Sequence, residues 1–126
     1  MENYLDKSYW SSLLKMGLSR FFILRVLYSG PLHCYAIAKR ISQMTHGSCS
    51  PAEGALYPVL SEFMEGGYVT CTVKKVSGRQ RKVYTLTKKG IQAYDAAMES
   101  WYEMTRVLVG SNERYAVGEA KIGDIR

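Results

Sequence analysis

The side chains in this 126-residue chain best suited to metal binding or nucleophilic chemistry are two histidines and three cysteines. Four of them, His33, Cys34, His46 and Cys49, bracket one short stretch. Imidazole and thiolate ligands there could hold a transition metal or answer an oxidant. Neither the adjacent pair His33-Cys34 nor His46-x-x-Cys49 has a known paired-ligand spacing, and Cys34 falls on an apolar stripe, where cysteine packs as a small hydrophobe. No cofactor is therefore expected, with these four residues kept as candidates for a metal- or thiol-responsive sensor. Cys71 falls among inward strand positions and is expected to be inert. The carboxylates are scattered, neither histidine has a nucleophile and an orienting acid beside it, and no HExxH or phosphate-cradling glycine loop occurs. An enzyme is not expected.

The chemistry that the sequence does concentrate is cationic. Residues 20–90 carry 11 basic and 3 acidic side chains, a net +8, while residues 1–19 sum to zero and residues 91–126 to −2. A basic middle and an acidic end suit a middle that meets a polyanion and an end with another task. The odd cysteine count and the lack of a leader pattern point to a reducing, cytoplasmic setting. The most apolar stretch, residues 21–28, is interrupted by Arg25 and is far shorter than the roughly 20 residues a membrane span needs. One domain's length and 47% hydrophobic residues allow a self-sufficient core.

These charges need a scaffold, and the apolar periods supply one. A helix is expected over residues 4–16, ended by Gly17, then a second over 20–28, capped by Ser19 and central to the core. Gly30-Pro31 turns the chain into a third helix over 33–45, with Cys34, Ile37, Ala38, Ile41 and Met44 inward. Ser50-Pro51-Ala52-Glu53 reads as a capping box with proline at the first helical position. The fourth helix then carries Ala52, Ala55, Leu56, Val59, Leu60, Phe63 and Met64 on one stripe, with Pro58 inside it, and ends at Gly66-Gly67. From residue 68 the period becomes two, and strands over 68–76 and 81–86 make a hairpin about Gly78. Thr87 is expected to cap a long helix reaching about residue 110, with Ile91, Tyr94, Met98, Trp101, Thr105 and Leu108 as a heptad seam. Residues 111–126 have no sustained period and are expected to be a tail.

Helix, turn, helix, hairpin is the winged helix-turn-helix order, in which the helix before the hairpin enters the DNA major groove. The fold class expected is therefore mainly α with a small two-stranded hairpin. The four segments are a helix for dimer support (1–18), a DNA-binding domain (19–86), a dimerisation helix (87–110) and the tail (111–126). The solvent face of the reading helix offers Glu53, Gly54, Tyr57, Ser61 and Glu62, an oddly unbasic surface. The bases surround it: Lys39 and Arg40 on the preceding helix, and Lys74, Lys75, Arg79, Arg81 and Lys82 on the hairpin. Such residues neutralise phosphates, and an arginine at a wing tip suits a narrow minor groove, a role for Arg79 and Arg81.

Four ordered segments carry a family resemblance: Gly30-Pro31-Leu32-His33-Cys34-Tyr35, Gly54-Ala55-Leu56-Tyr57-Pro58-Val59-Leu60, Glu65-Gly66-Gly67-Tyr68-Val69, and residues 81–90, Arg-Lys-Val-Tyr-Thr-Leu-Thr-Lys-Lys-Gly. Over about residues 20–92 the chain resembles the PadR family of transcriptional regulators. The resemblance implies a dimeric repressor that binds an inverted-repeat operator and responds to a small molecule. By position, Tyr57 and the start of its helix, with Ser50, Glu53 and Gly54, resemble the family's DNA-contacting residues, and Tyr35 its phosphate-side contact. Cys34 departs from the glycine usual there, and the single last helix looks like the family's shorter branch. The heptad seam then has a purpose as a two-fold interface, supported by Trp10 of the first helix. Trp10, Tyr94, Met98, Trp101, Tyr102 and Met104 could also line an apolar pocket for a planar effector. The rival reading is a winged helix that contacts protein, its charges serving solubility.

Overall fold

The structure, a computed structural model, describes residues 3–110. The tail expected over 111–126 lies outside the described residues. The chain divides into two compact units, Met1–Tyr94 and Asp95–Arg126.

The first unit opens with one helix, α1 (Lys7–Tyr28), where two were expected. Gly17 lies inside it, and the Ser19 hydroxyl, read as a cap, donates back to the Met16 carbonyl at 3.3 Å. A break there would leave unpaired amides and carbonyls at two new helix ends, whereas one glycine in a helix costs only about 1 kcal/mol. The cap is Asp6, whose carboxylate accepts from the Ser8 amide at 2.9 Å. That bond holds its pKa below the usual value.

A two-residue strand, β1 (Leu32–His33), leads into α2 (Cys34–Met44). Next comes α3 (Glu53–Glu65), two residues later than the expected capping box. Its cap is Ala52, with no side-chain bond, and the Ser50 hydroxyl instead pairs with that of Ser42 at 2.9 Å. The reason is the preceding turn. Thr45 Oγ1 accepts from the Cys49 amide at 3.0 Å and Gly47 donates to Ser42 at 2.7 Å, which draws residues 48–50 back onto α2. Pro58 sits within α3, and Gly67 at φ +80° closes it: Tyr68 donates to the Phe63 carbonyl and Gly67 to that of Met64, a Schellman cap.

Strands β2 (Val69–Val76) and β3 (Arg79–Leu86) pair antiparallel, joined by Ser77 and Gly78 at φ 52° and 79°, the left-handed pair a tight hairpin needs. The expected hairpin is thus present, and β1 pairs with β3 to extend it to three strands in the order β1-β3-β2. The architecture is the mainly α fold with a small sheet that the sequence implied. Thr87 caps α4 (Lys88–Gly110), its Oγ1 accepting from the Gly90 amide at 3.1 Å and donating to the Gly67 carbonyl at 2.7 Å.

The core of the first unit is made by Ile23, Leu24, Val26 and Leu27 of α1, Cys34, Ile37 and Ile41 of α2, Leu56, Leu60 and Phe63 of α3, and Val69, Val83 and Tyr84 of the sheet. Tyr94, placed on the heptad seam from sequence, is only 6% exposed and stacks on Tyr28 and Phe21 at 4.6 and 6.1 Å. It belongs to this core, not to a surface seam. In the second unit the described part is the helical stretch 95–110, where Trp101, Met104, Val107 and Leu108 are exposed.

Candidate nucleic-acid interface

The face that gathers the predicted contacts is built by three chain segments that meet. His33 ends β1 and caps α2, its Nδ1 accepting from the Ala36 amide at 3.2 Å. This fixes the first turn of α2 and projects Tyr35, which is 54% exposed. On α3, Glu53 and Tyr57 stand four residues apart and so share one side of the helix. From β3 come Gln80, Arg81, Lys82 and Tyr84. A cleft of about 190 Å³ is lined by His33, Cys34 and Tyr35 of the first segment, by Glu53 and Tyr57 of the second, and by those four residues of the third. A shallower hollow of about 380 Å³ adjoins it through Tyr35 and Glu53, and adds Ala38, Lys39, Ser42, Ser50 and Pro51.

Cys34, 5% exposed, ties this face to the core. Its thiol donates to the Glu53 carbonyl at 3.7 Å, and Tyr57 lines the same cleft. Burial first, then the Glu53 charge, pushes the thiol pKa up, so Cys34 is a neutral group. Tyr57 is raised by Cys34, and Tyr84 is pushed up to about 12 by burial and then by the nearby thiols. At neutral pH both phenols keep their protons and act as donors. His33 is lowered, by burial first and the Arg81 charge second, against the pull of Glu53. The cleft therefore offers neutral donors, one carboxylate, and the cations Arg81 and Lys82.

On the wing, Lys74 lies opposite Arg81, Lys75 opposite Gln80, and Arg79 opposite Val76, with Lys74, Lys75 and Arg79 all exposed. Gly54 is exposed beside Glu53. Two residues placed on this face from sequence lie elsewhere. Arg40 joins Arg25, Val26, Ser29 and Met44 around a separate hollow of about 160 Å³, because it and Lys39 point to different sides of α2. Glu62 is held by Arg20, whose Nε and Nη2 reach its carboxylate at 2.8 and 3.4 Å. Sequence reasoning missed Gln80, assigned to the turn, and the inward Tyr84. The signal for Gln80 was its place between two wing arginines.

The four sensor candidates do not assemble into one site. His33 and Cys34 stand at the start of α2, whereas His46 and Cys49 follow its end, and 11 helical residues separate the pairs by roughly 16 Å. Among the described residues no three His, Cys, Asp or Glu side chains gather in metal-binding range. Of the interface candidates, Trp10 donates from Nε1 to the Tyr4 carbonyl at 2.8 Å and packs with the rings of Tyr4 and Tyr9. Ile91 is exposed in the first unit; in the second, Met98, Tyr102 and Thr105 are half-buried and Trp101 and Leu108 exposed. Thr105 Oγ1 donates to the Trp101 carbonyl at 2.9 Å. No described helix is long and apolar enough to cross a membrane.

Residues 23–96 match the Transcriptional regulator PadR-like family. Over 76 residues the chain is 30% identical to Transcriptional regulator YqjI of Escherichia coli, covering 60% of this chain and 35% of that protein. The chain thus spans about a third of the length of the curated relatives it matches. In three dimensions it is similar to a transcriptional regulator from Clostridium thermocellum, with 25% identity, a TM-score of 0.67, and coverage of 79% of this chain and 97% of that one. Its fold is also that of Bacillus subtilis PadR, solved in complex with operator DNA, with 24% identity, a TM-score of 0.58, and coverage of 64% and 46%.

Proposed function

Because the chain belongs to the PadR-like family of transcriptional regulators, we propose that it binds double-stranded DNA in a sequence-specific way, as a homodimeric repressor released by a small-molecule effector. The observation that carries this reading is the convergence of Tyr35, Glu53, Tyr57, Arg81 and Lys82 on one cleft at the N-terminal end of α3. That end is the part of a reading helix that meets base edges. Lys39, Lys74, Lys75 and Lys82 neutralise backbone phosphates around it, and Arg79 with Arg81 carries the wing toward the minor groove. Tyr35, Ser50 and Gly54 close on the sugar-phosphate strand beside the helix. The operator complex of Bacillus subtilis PadR supports the same use of this fold.

Residues 19–86 are the DNA-binding domain in this reading. Dimerisation falls to residues 87–110, with support from residues 1–18. Two reading helices must lie about one DNA turn apart, roughly 34 Å, to take an inverted repeat. Exposed Trp101, Met104, Val107 and Leu108 in the second unit, and separately exposed Trp10, Leu13 and Leu14 on α1 in the first, are apolar patches of the kind a partner protomer would cover. The effector is a small apolar or aromatic molecule held by side chains of this population. A regulator of this kind acts in the cytoplasm, where the chromosome is.

The test is a mobility shift on the duplex upstream of the protein's own gene against a scrambled duplex. A preference of about a thousandfold or more is expected. Equal affinity for both, or none, would leave the winged helix as a protein-contact module.

A further inference from the structure

We infer that Glu53 reads a cytosine, accepting a hydrogen bond from its exocyclic N4 amine in the major groove; this rests on the proposal that the α3 face reads duplex DNA. Residues 20–90 contain three acidic side chains, Glu53, Glu62 and Glu65. Glu62 is paired with Arg20, the one ion pair among the described residues. Glu65 closes the far end of α3 and lines neither hollow of the candidate face. Glu53 lines both, and it is the first residue of the helix, on the same side as Tyr57. Arg81 borders the same cleft without closing an ion pair on it.

A carboxylate at this point faces a polyanion, so a backbone contact would be repulsive. What it can accept from is a base-edge donor, and the major groove offers two kinds, the N4 amine of cytosine and the N6 amine of adenine. The adenine amine sits beside the N7 acceptor, which repels the second carboxylate oxygen, whereas cytosine presents no acceptor of its own there. Cytosine is the base that fits. An amide in the same place, with one donor and one acceptor, fits adenine instead. The alternative role, a negative charge favourable at a helix N-terminus, would affect stability but no base identity.

The experiment selects duplexes from a random pool with the full chain, then measures affinities for all four bases at each half-site position. Wild type, Glu53→Gln and Glu53→Asp are compared, and circular dichroism verifies that each variant folds. Wild type is expected to prefer cytosine at one position per half-site by about 5- to 150-fold. Glu53→Gln should lose that margin and move toward adenine, while other positions keep their preferences. An unchanged cytosine preference in Glu53→Gln, or a uniform fall over all bases, overturns the inference and leaves duplex reading intact. If wild type enriches no duplex, the DNA-binding reading fails, and the inference with it.

Discussion

At the scale of single residues, His33 has two tasks that acid sets against each other. Its unprotonated Nδ1 caps α2, and its ring lines the cleft beside Arg81. Burial, then the Arg81 charge, lowers its folded pKa below the 6.5 of the free side chain, so the unfolded chain binds the proton more readily. The sign follows: this group costs no stability above that value, and stability is lost as pH falls below it. Thermal melting should therefore fall between about pH 7 and 5 by more in wild type than in His33→Asn, which keeps a capping oxygen and cannot titrate. Equal pH slopes for the two would contradict the assignment. Residue types alone made Lys39, Tyr57 and the wing cations legible as candidates. They could not show that Arg40 turns toward Arg25, or that Arg20 holds Glu62, because each depends on which side of a helix a neighbouring element covers.

At the scale of elements, legibility followed length and capping chemistry. The centres of the α2 and α3 stripes, the period-two hairpin and the Thr87 cap stand as read, since each has several residues or a specific bond behind it, whereas Met44, Ala52 and Ala55, read onto those stripes at the helix ends, are exposed. Leu32–His33 is too short for any period, so the third strand left no trace. Gly17 was misread because a glycine after an apolar run signals an ending only where the chain also turns. The two glycine environments make opposite predictions. At Gly17 an added methyl meets nothing within 4 Å, so Gly17→Ala should stabilise α1 by about 1 kcal/mol, a rise of roughly 4–8 °C in melting temperature. At Gly90 the methyl would strike the Tyr68 carbonyl and the Leu86 side chain, and Gly90→Ala should cost about 1–3 kcal/mol. Calorimetry of the two variants decides both; a lower melting temperature for Gly17→Ala would mean that α1 is not continuous there.

At the scale of the whole molecule, the charge asymmetry read from the sequence and the apolar residues left exposed argue for separate tasks. Leu108 is an apolar side chain left 65% exposed among the described residues. In the proposed dimer it lies under a partner. Leu108→Glu should shift sedimentation toward the monomer at micromolar concentration with helical content unchanged, and an unaltered sedimentation coefficient would remove Leu108 from the interface. The central claim is that the cations around α3 and on the wing hold duplex phosphates. Fluorescence anisotropy on operator DNA between about 50 and 200 mM salt tests it directly. With about six phosphate contacts per dimer, log K should fall against log salt with a slope near −5, and Arg79→Ala with Arg81→Ala should make the slope shallower by about 1 for each contact removed. A flat slope for the wild-type protein would contradict the account.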